Sequence, residues 1–307
     1  MALRHLGFVD LPPSAKPGGF DHAAVHEPTG RIYLAHTAND AVDVIDITAQ
    51  RYMGSIRDLP AVAGALVAAP DLVFTSNRGE NTVGLFTVAD VPHVEKIGVG
   101  VRPNGLAYDP RRARLLVAHV GDPAIAGSFT VSVIDVRARR RIADVAVAGR
   151  TRWAVYDPIS DAFHVNIADP PQIIVVDSGD PVGIRRVVPI PHAGPHGLDL
   201  DVTRRRLFCA CDAGVLVAVD ADSGKLIEEH RIGGVPDVVF FNPRLGRLYV
   251  AIGDPGVIEV FETEPLAWRE TVRTEAGAHT LSFDATRNIV CAFLPATHRA
   301  AVYEDRT

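Results

Sequence analysis

Short apolar segments alternate with polar turns along the whole chain, and a block of three such segments recurs roughly every 40 residues. Each block contains an apolar strand, a corner, a second apolar strand, a loop and a third strand. The corners lie at Glu27-Pro28, Ala69-Pro70, Asp109-Pro110, Asp157-Pro158, Asp201-Val202, Asn242-Pro243 and Asp284-Ala285. The third strands end at Asp46, Thr87, Asp135, Asp177, Asp220, Glu262 and Glu304. Repeats built only from short strands at this spacing are typical of a β-propeller, so we predict an all-β fold of seven blades.

The last block has only three strands before the chain ends near Thr307. At the other end of the chain, Arg4–Leu11 has the pattern of a strand and is followed by a Pro-Pro break. We predict that this N-terminal strand pairs with the last blade and closes the ring, since closure removes exposed sheet edges. Linkers and low-complexity segments are absent from the sequence, which favours one domain over residues 1–307.

Composition narrows the classes of partner. The net charge of −6 comes without a basic stripe, which argues against a nucleic-acid partner. The sequence has no stretch of about 20 apolar residues, so we predict no membrane span. The N-terminus lacks the apolar core of a signal peptide, so we expect a cytoplasmic location. Three cysteines are too few for a disulfide framework, and Cys209 and Cys291 fall within predicted strands as small apolar residues.

Several segments resemble a known family. Gly-Arg-Ile-Tyr-Leu-Ala-His at 30–36, Arg-Pro-Asn-Gly-Leu-Ala-Tyr-Asp-Pro at 102–110 and Gly-Arg-Leu-Tyr-Val-Ala at 246–251 are similar to the repeats of YncE-type seven-bladed propellers with YVTN-like repeats. The resemblance covers essentially the whole chain. It implies the propeller fold, and it implies function only broadly, because the family and its relatives include binding proteins, lactonase-like members and metal-containing oxidoreductases. Many members are exported.

One repeat position stands out because polar residues dominate it. Five residues before each corner, at the start of each innermost strand, lie His22, Gly64, Asn104, Arg152, His196, Asp237 and His279. We call these seven residues the first column. The symmetry of a propeller places them around one opening of the central channel, which we call the mouth.

The histidines of the first column belong to neighbouring blades once the ring closes. His196, Asp237, His279 and His22 come from blades 5, 6, 7 and 1. Imidazole with carboxylate suits zinc, iron, manganese, nickel or copper(II), so we predict a divalent metal on the three histidines. Asp237 is the expected fourth ligand or the base beside the metal. A metal-free polar pocket and purely structural histidines are the alternatives.

A second column is formed by the ends of the second strands. Its members are His36, Asn77, His119, Asn166, Cys211, Ile252 and Phe293, and Arg78, Asp212, Asp254 and His298 lie in the loops just beyond such ends. Because the second strand ends on the face where the first begins, we expect its polar members to line the mouth too. Asn and Asp also favour turns, and Cys211 is more simply a packed thiol.

These columns lead us to predict a metal-dependent hydrolase or lyase acting on a small carbonyl- or lactone-type substrate at the mouth. The metal would polarise a carbonyl or lower the pKa of a water molecule. Arg152 and Asn104, together with Asn77 and Asn166, would bind the substrate, and His36 or His119 would transfer a proton.

The sequence is compatible with two other functions. A non-haem iron or copper oxidoreductase is one, and a binding scaffold without catalysis is the other, although few aromatic residues are available for such a surface. No phosphate-binding loop or Gly-x-Ser-x-Gly motif occurs, and no serine stands out as a nucleophile.

Overall fold

Seven four-stranded antiparallel sheets are arranged in a ring, in a computed structural model that describes residues 2–68, 70–89, 92–180 and 182–306. Each innermost strand packs against the innermost strand of the next blade, and the last blade packs against the first. The prediction of a seven-bladed β-propeller is confirmed. Of the seven predicted corners, Ala69-Pro70 lies partly outside the described residues.

The strands follow one another from the inside of each blade to its outside. Blade 1 contains β2 (Ala23–His26), β3 (Arg31–His36), β4 (Ala41–Asp46) and β5 (Arg51–Ile56). Blade 2 contains β6 (Val62–Ala68), β7 (Leu72–Asn77), β8 (Thr82–Thr87) and β9 (Glu95–Gly98). Blade 3 contains β10 (Pro103–Asp109), β11 (Arg114–His119), β12 (Thr130–Asp135) and β13 (Arg140–Ala146). Blade 4 contains β14 (Thr151–Asp157), β15 (Ala162–Ile167), β16 (Gln172–Asp177) and β17 (Ile184–Pro189).

The remaining blades repeat this order. Blade 5 contains β18 (Pro195–Asp201), β19 (Arg206–Cys211), β20 (Val215–Asp220) and β21 (Leu226–Arg231). Blade 6 contains β22 (Pro236–Asn242), β23 (Arg247–Ile252), β24 (Val257–Thr263) and β25 (Leu266–Arg273). Blade 7 contains β26 (Thr280–Asp284), β27 (Ile289–Leu294), β28 (Arg299–Asp305) and, from the other end of the chain, β1 (Leu3–Asp10).

Burial explains why the strands differ in sequence. The middle strands are short, nearly continuous apolar runs because neighbouring blades cover both of their faces, as in β19 and β27. The outer strand β21 alternates between half-buried and exposed residues because one face meets water. The core therefore lies between blades, where for example Tyr249 of blade 6 packs in one cluster with Leu281 of blade 7.

The two ends of the chain meet in blade 7. Strand β1 pairs antiparallel with β28, with Leu3 opposite Asp305 and Asp10 opposite Arg299. The Asp10 carboxylate accepts a hydrogen bond from Arg299 at 2.8 Å. The predicted closure by the N-terminal strand is confirmed, with the strand one residue earlier at each end than Arg4–Leu11.

The face opposite the mouth carries the corners, whose carboxylates serve as scaffold. Asp157 accepts the backbone N–H of Ile159 at 3.0 Å and receives a two-pronged contact from Arg205 of blade 5, at 2.8 and 2.6 Å. Such paired hydrogen bonds to a buried carboxylate tie blade to blade. All three cysteines are free and buried. The part of the chain that the structure describes has no helix long and apolar enough to cross a membrane.

Candidate functional site

Close approaches between innermost strands position the first column. A Cβ atom on Gly64 would lie 2.4 Å from the carbonyl oxygen of Asn104, and one on Gly197 would lie 2.6 Å from that of Asp237. Any larger residue would push the strands apart, which explains why Gly64 is the one apolar member of the column. Asn166 supports the same region, because its amide donates to the carbonyl oxygens of His196 at 2.8 Å and Gly197 at 3.2 Å.

Four acidic and imidazole side chains form a continuous hydrogen-bonded chain along one half of the mouth, which we call the relay. Asp212 Oδ1 lies 2.7 Å from His196 Nδ1, and His196 Nε2 lies 3.0 Å from Asp237 Oδ1. The other oxygen of Asp237 lies 2.6 Å from His279 Nδ1. The relay runs from the loop after β19 through blades 5 and 6 to blade 7. At its end, no hydrogen bond within the described ranges involves His279 Nε2.

The contacts of the relay shift the pKa of His196, Asp237 and His279. Burial raises the pKa of Asp237, but the hydrogen bonds and charges of His196 and His279 outweigh it and hold the pKa well below the usual value. Burial lowers the pKa of both histidines, but their carboxylate partners outweigh it and raise the pKa above 6.5. Asp237 is therefore an ionised carboxylate between two imidazoles that gain protons readily.

Arg152 links the relay to the other half of the mouth. One of its terminal nitrogens lies 3.0 Å from His196 Nε2 and the other donates to Asp212 at 3.3 Å. His196 Nε2 thus stands between a donor, Arg152, and an acceptor, Asp237. Whether this nitrogen carries a proton decides which of the two contacts is a hydrogen bond, so the position of Arg152 is coupled to the protonation of the relay.

The opposite half of the mouth is organised by Arg78. Its guanidinium donates to the Asn104 side-chain oxygen and lies 3.1 Å from an oxygen of Asp21. The other Asp21 oxygen lies 3.2 Å from His22 Nε2. Burial lowers the pKa of His22, and the nearby Arg78 adds to this effect while Asp21 and Asp237 oppose it. His22 is therefore a neutral imidazole, unlike the histidines of the relay.

Several guanidinium groups give the mouth a positive side. Burial lowers the pKa of Arg150, and so do the positive charges of Arg152, Arg78 and Arg102. The Nε atoms of Arg78 and Arg152 are buried and have no hydrogen-bond partner within the described residues. Arg78 and Arg152 contact the carboxylates of Asp21 and Asp212, and the cluster of four cations around them favours an anionic ligand.

Trp153 forms the floor of the mouth. Its ring lies against the His22 ring, with centroids 4.3 Å apart, and meets Phe240 edge-on at 6.3 Å. On the far side of Trp153 the channel continues as a mostly apolar cavity of about 450 Å³, lined also by Phe283 and Asp199. The indole ring thus stands between a polar mouth and an apolar lower channel.

The polar members of the second column lie deeper in the blades than expected. Asn77 is fully buried, and its amide donates to Thr82 at 3.0 Å. His119 is also fully buried, with Nδ1 2.8 Å from the Thr130 hydroxyl and Nε2 accepting the Gly100 N–H at 3.3 Å. Burial lowers the pKa of His119 to about 4. Asn166 holds the backbone at His196, as described above. These contacts favour supporting roles for the three residues.

His36, expected to transfer a proton at the mouth, is fully buried in blade 1, where its Nδ1 lies 2.7 Å from Asp43. Conversely, Asp212 and Arg78, which follow the ends of second strands, reach the mouth and complete its network. Their position just after the second column could have indicated that they reach the mouth. Aspartate and arginine are also common in turns and at surfaces, so their presence there did not distinguish them.

The described residues contain no group of three or more His, Cys, Asp or Glu side chains that could hold a metal ion. Both nitrogens of His196 and one of His279 already face carboxylates within the relay. As folded, the side chains fit a hydrogen-bonded network better than a coordination shell. The metal ligand set of His22, His196, His279 and Asp237 therefore stays a prediction.

Comparison with known proteins defines the fold and leaves the function open. No protein-family model and no curated protein sequence matches the chain. The chain is similar in structure to hydrazine synthase of Kuenenia stuttgartiensis, with a TM-score of 0.81 and 12% sequence identity, over 95% of this chain and 96% of that chain. At this level of identity the likeness shows the propeller fold alone. The resemblance to YncE-type propellers with YVTN-like repeats remains a prediction.

Proposed function

We propose that the mouth is the catalytic site of an enzyme that acts on a small, anionic carbonyl compound, of which a lactone or an ester-like acid is the simplest form. The observation that carries this proposal is the relay, which ends in a partly exposed imidazole whose Nε2 has no hydrogen-bond partner among the described residues, at a mouth that also holds Arg78 and Arg152. An acid–base group beside an anion site is what hydrolysis or elimination of such a substrate needs. The hydrazine synthase named above is an enzyme with the same fold, which is compatible with catalysis but assigns no reaction.

Each part of the mouth has a role in this proposal. Asp237 orients His279 through Nδ1, so that Nε2 accepts a proton from water or from a carbon next to the carbonyl group. Arg152 and Arg78 bind the anionic group of the substrate, and Asn104, held by Arg78, faces the same space. Trp153 limits how deep the substrate reaches.

Binding can be tested with the tryptophan in the floor. The chain has two tryptophans, and Trp268 is more than half exposed on an outer strand, so Trp268→Phe leaves Trp153 as the reporter. Butyrate, succinate and γ-butyrolactone are titrated against its fluorescence. We expect saturable binding of the carboxylates that Arg152→Gln weakens about tenfold or more. Arg269→Gln, on outer strand β25, is the matched control.

Catalysis is tested on a panel of lactones and small esters. His279→Gln should lower turnover about 100-fold or more, because it removes the terminal base of the relay. His230→Gln, on the exposed outer strand β21, should leave turnover unchanged. If neither binding nor turnover depends on Arg152 and His279, the proposal is wrong.

A metal-dependent form of the same enzyme is the second candidate, and three imidazoles from neighbouring blades at one repeat position favour it. It predicts a stoichiometric divalent ion in the purified protein, which His22→Ala, His196→Ala and His279→Ala each lower and His230→Ala does not. Zinc would point to hydrolysis or elimination, whereas iron or copper would point to oxidation. Elemental analysis that finds no metal in the wild type would end this candidate, and a site that binds the carboxylates without turnover would be a binding scaffold.

A further inference from the structure

A serine, a histidine and an aspartate line up in blade 1, away from the relay. Ser14 Oγ lies 3.3 Å from His36 Nε2, and His36 Nδ1 lies 2.7 Å from Asp43 Oδ2. Ser14 belongs to the segment between β1 and β2, His36 ends β3, and Asp43 lies within β4. We propose that Ser14, His36 and Asp43 form a hydrolytic triad with Ser14 as the nucleophile, and that it cleaves small, activated acyl esters.

The proton positions in this cluster follow from its contacts. Two groups lie near Nδ1 of His36, the Asp43 carboxylate at 2.7 Å and the Asn39 amide nitrogen at 3.2 Å. The shorter contact, to an acceptor, places the proton on Nδ1, and the Asn39 amide donates instead to the carbonyl oxygen of Pro13. In the neutral imidazole this leaves Nε2 without a proton, as an acceptor facing the Ser14 hydroxyl. This is the tautomer that a serine nucleophile needs, with the base oriented by a carboxylate behind it. The serine–histidine distance is longer than an ideal hydrogen bond, which is common before substrate binds.

The histidine and the aspartate are held rigidly. Both are fully buried, and the second oxygen of Asp43 accepts a hydrogen bond from Ser55 at 2.5 Å. The His36 ring packs on Phe20, with centroids 4.5 Å apart. The buried Asp43 carboxylate has two hydrogen-bond donors, and the packed His36 ring keeps its orientation. Substrate binding therefore needs to order neither side chain.

The segment that carries Ser14 is clamped on both sides by one side chain. Asn39 accepts the backbone N–H of Ala15 at 2.7 Å and donates to the carbonyl oxygen of Pro13 at 3.1 Å. Ser14 itself is half-buried, between the exposed residues Pro13 and Ala15. The hydroxyl is thus the one member of the cluster within reach of solvent, and Asn39 is its positioning residue.

The proposed reaction needs only the ester and water. Ser14 Oγ attacks the acyl carbon as its proton passes to His36 Nε2, and the departing alcohol takes that proton as the ester C–O bond breaks. Water then attacks the acyl-serine, gives a proton to Nε2, and the Ser14 hydroxyl is restored as the acid leaves. Asp43 holds the imidazole through Nδ1 in both steps.

Blade 3 contains an internal comparison. His119 occupies the same repeat position as His36, but its Nδ1 meets a threonine hydroxyl and its Nε2 accepts a backbone N–H from Gly100. A histidine that serves only to support this position therefore needs neither a serine nor a carboxylate. Blade 1 has both, in the order that supports nucleophilic attack.

The test uses a fluorophosphonate probe on the full-length protein, with the labelled residue mapped by mass spectrometry, and p-nitrophenyl acetate as the ester. We expect labelling at Ser14, and loss of both labelling and acyl-enzyme formation in Ser14→Ala. Asp43→Asn should slow labelling about 100-fold or more while the protein keeps its circular dichroism spectrum. Ser223→Ala, in the exposed turn after β20, is the matched control and should react like the wild type.

Because Asp43 is fully buried, its substitution can also disturb the fold, so Ser14→Cys provides a second readout. A cysteine at this position should be alkylated by iodoacetamide faster than a free thiol, because the neighbouring imidazole takes its proton and stabilises the thiolate. No labelling of the wild type, labelling elsewhere, or unchanged labelling in Ser14→Ala would each overturn the triad. Binding of carboxylates beside Trp153 does not enter this test, so its failure leaves the mouth proposal standing.

Discussion

Asp237 Oδ2 lies 2.6 Å from Nδ1 of His279, a contact between blades 6 and 7 that leaves the imidazole partly exposed. The same carboxylate contacts His196 of blade 5 at 3.0 Å, so one side chain joins three blades. Such a carboxylate organises the site and also links folding stability to pH.

The pKa values of the mouth histidines should be shifted in opposite directions from the ordinary value of 6.5. His196 and His279 should have pKa values above 6.5, and His22 a value below it, measured by NMR from the ring nitrogens and carbons. A raised pKa in the folded state means that the stabilising contribution of His279 is complete below pH 6.5 and is lost as pH rises through its folded pKa. Asp237→Asn should lower the pKa of His279 and remove this contribution. An unchanged His279 titration in that variant would show that Asp237 does not hold it.

Asp199 should make stability depend on pH in the same direction. It faces the apolar lower channel, and burial raises its pKa to about 6, although the backbone N–H groups of Leu200 and Phe241 partly oppose this. The folded state therefore binds a proton more tightly than the unfolded state, and stability is lost as pH rises from about 4 to above 6.

Asp199→Asn tests this pH dependence through the change in unfolding free energy between two pH values, and not through its value at one pH. The amide keeps only one acceptor for two backbone donors, so its stability at one pH is not informative. Between pH 4 and pH 8, however, the variant should gain up to about 3 kcal/mol relative to the wild type in urea unfolding. Asp180→Asn, whose side chain is 78% exposed, should show no comparable gain. Equal pH profiles for Asp199→Asn and the wild type would contradict the assigned environment.

Ring closure should carry a large share of the stability. Deleting residues 1–11 removes β1, exposes the edge of β28 and abolishes the contact between Asp10 and Arg299. We expect a markedly lower melting temperature in calorimetry and aggregation in light scattering. Arg299→Gln, which removes only this exposed ion pair and the contact of the guanidinium with the Phe8 ring, should change the melting temperature little. A truncated protein that melts like the full-length chain would show that the closing strand is dispensable.

The ring and its closure could be predicted from the sequence because each blade repeats the same order of apolar strands and polar corners. A short apolar strand must be covered on both faces, and neighbouring blades provide that cover. The grouping of the first column around the mouth could also be predicted, since propeller symmetry places residues of one repeat position at the same height around the channel. The relay could not be read in the same way. Asp212 has the ordinary spacing of a turn residue, and only the fold shows that it lies 2.7 Å from His196.

The second column shows where symmetry reasoning fails. The ends of the second strands do lie toward the mouth face, but the side chains of His36 and His119 point into their blades and are fully buried. Strand alternation decides this direction, and a shift of one residue in register reverses it. Ser14 was missed for another reason. It follows two prolines in a connecting segment, and only the path of that segment over blade 1 brings it to His36.

Trp153 should contribute to folding stability and should keep water away from the His22 imidazole. Trp153→Ala removes the ring that packs on His22 and Phe240, so we expect a loss of about 3 kcal/mol in urea unfolding. Water entering the opened channel should also raise the pKa of His22 toward 6.5, because burial is the main cause that lowers it. Trp268→Ala, at an exposed position, should change neither quantity. A His22 titration that stays low in Trp153→Ala would mean that the Asp21 and Arg78 side of the mouth, and not the indole floor, keeps water from this imidazole.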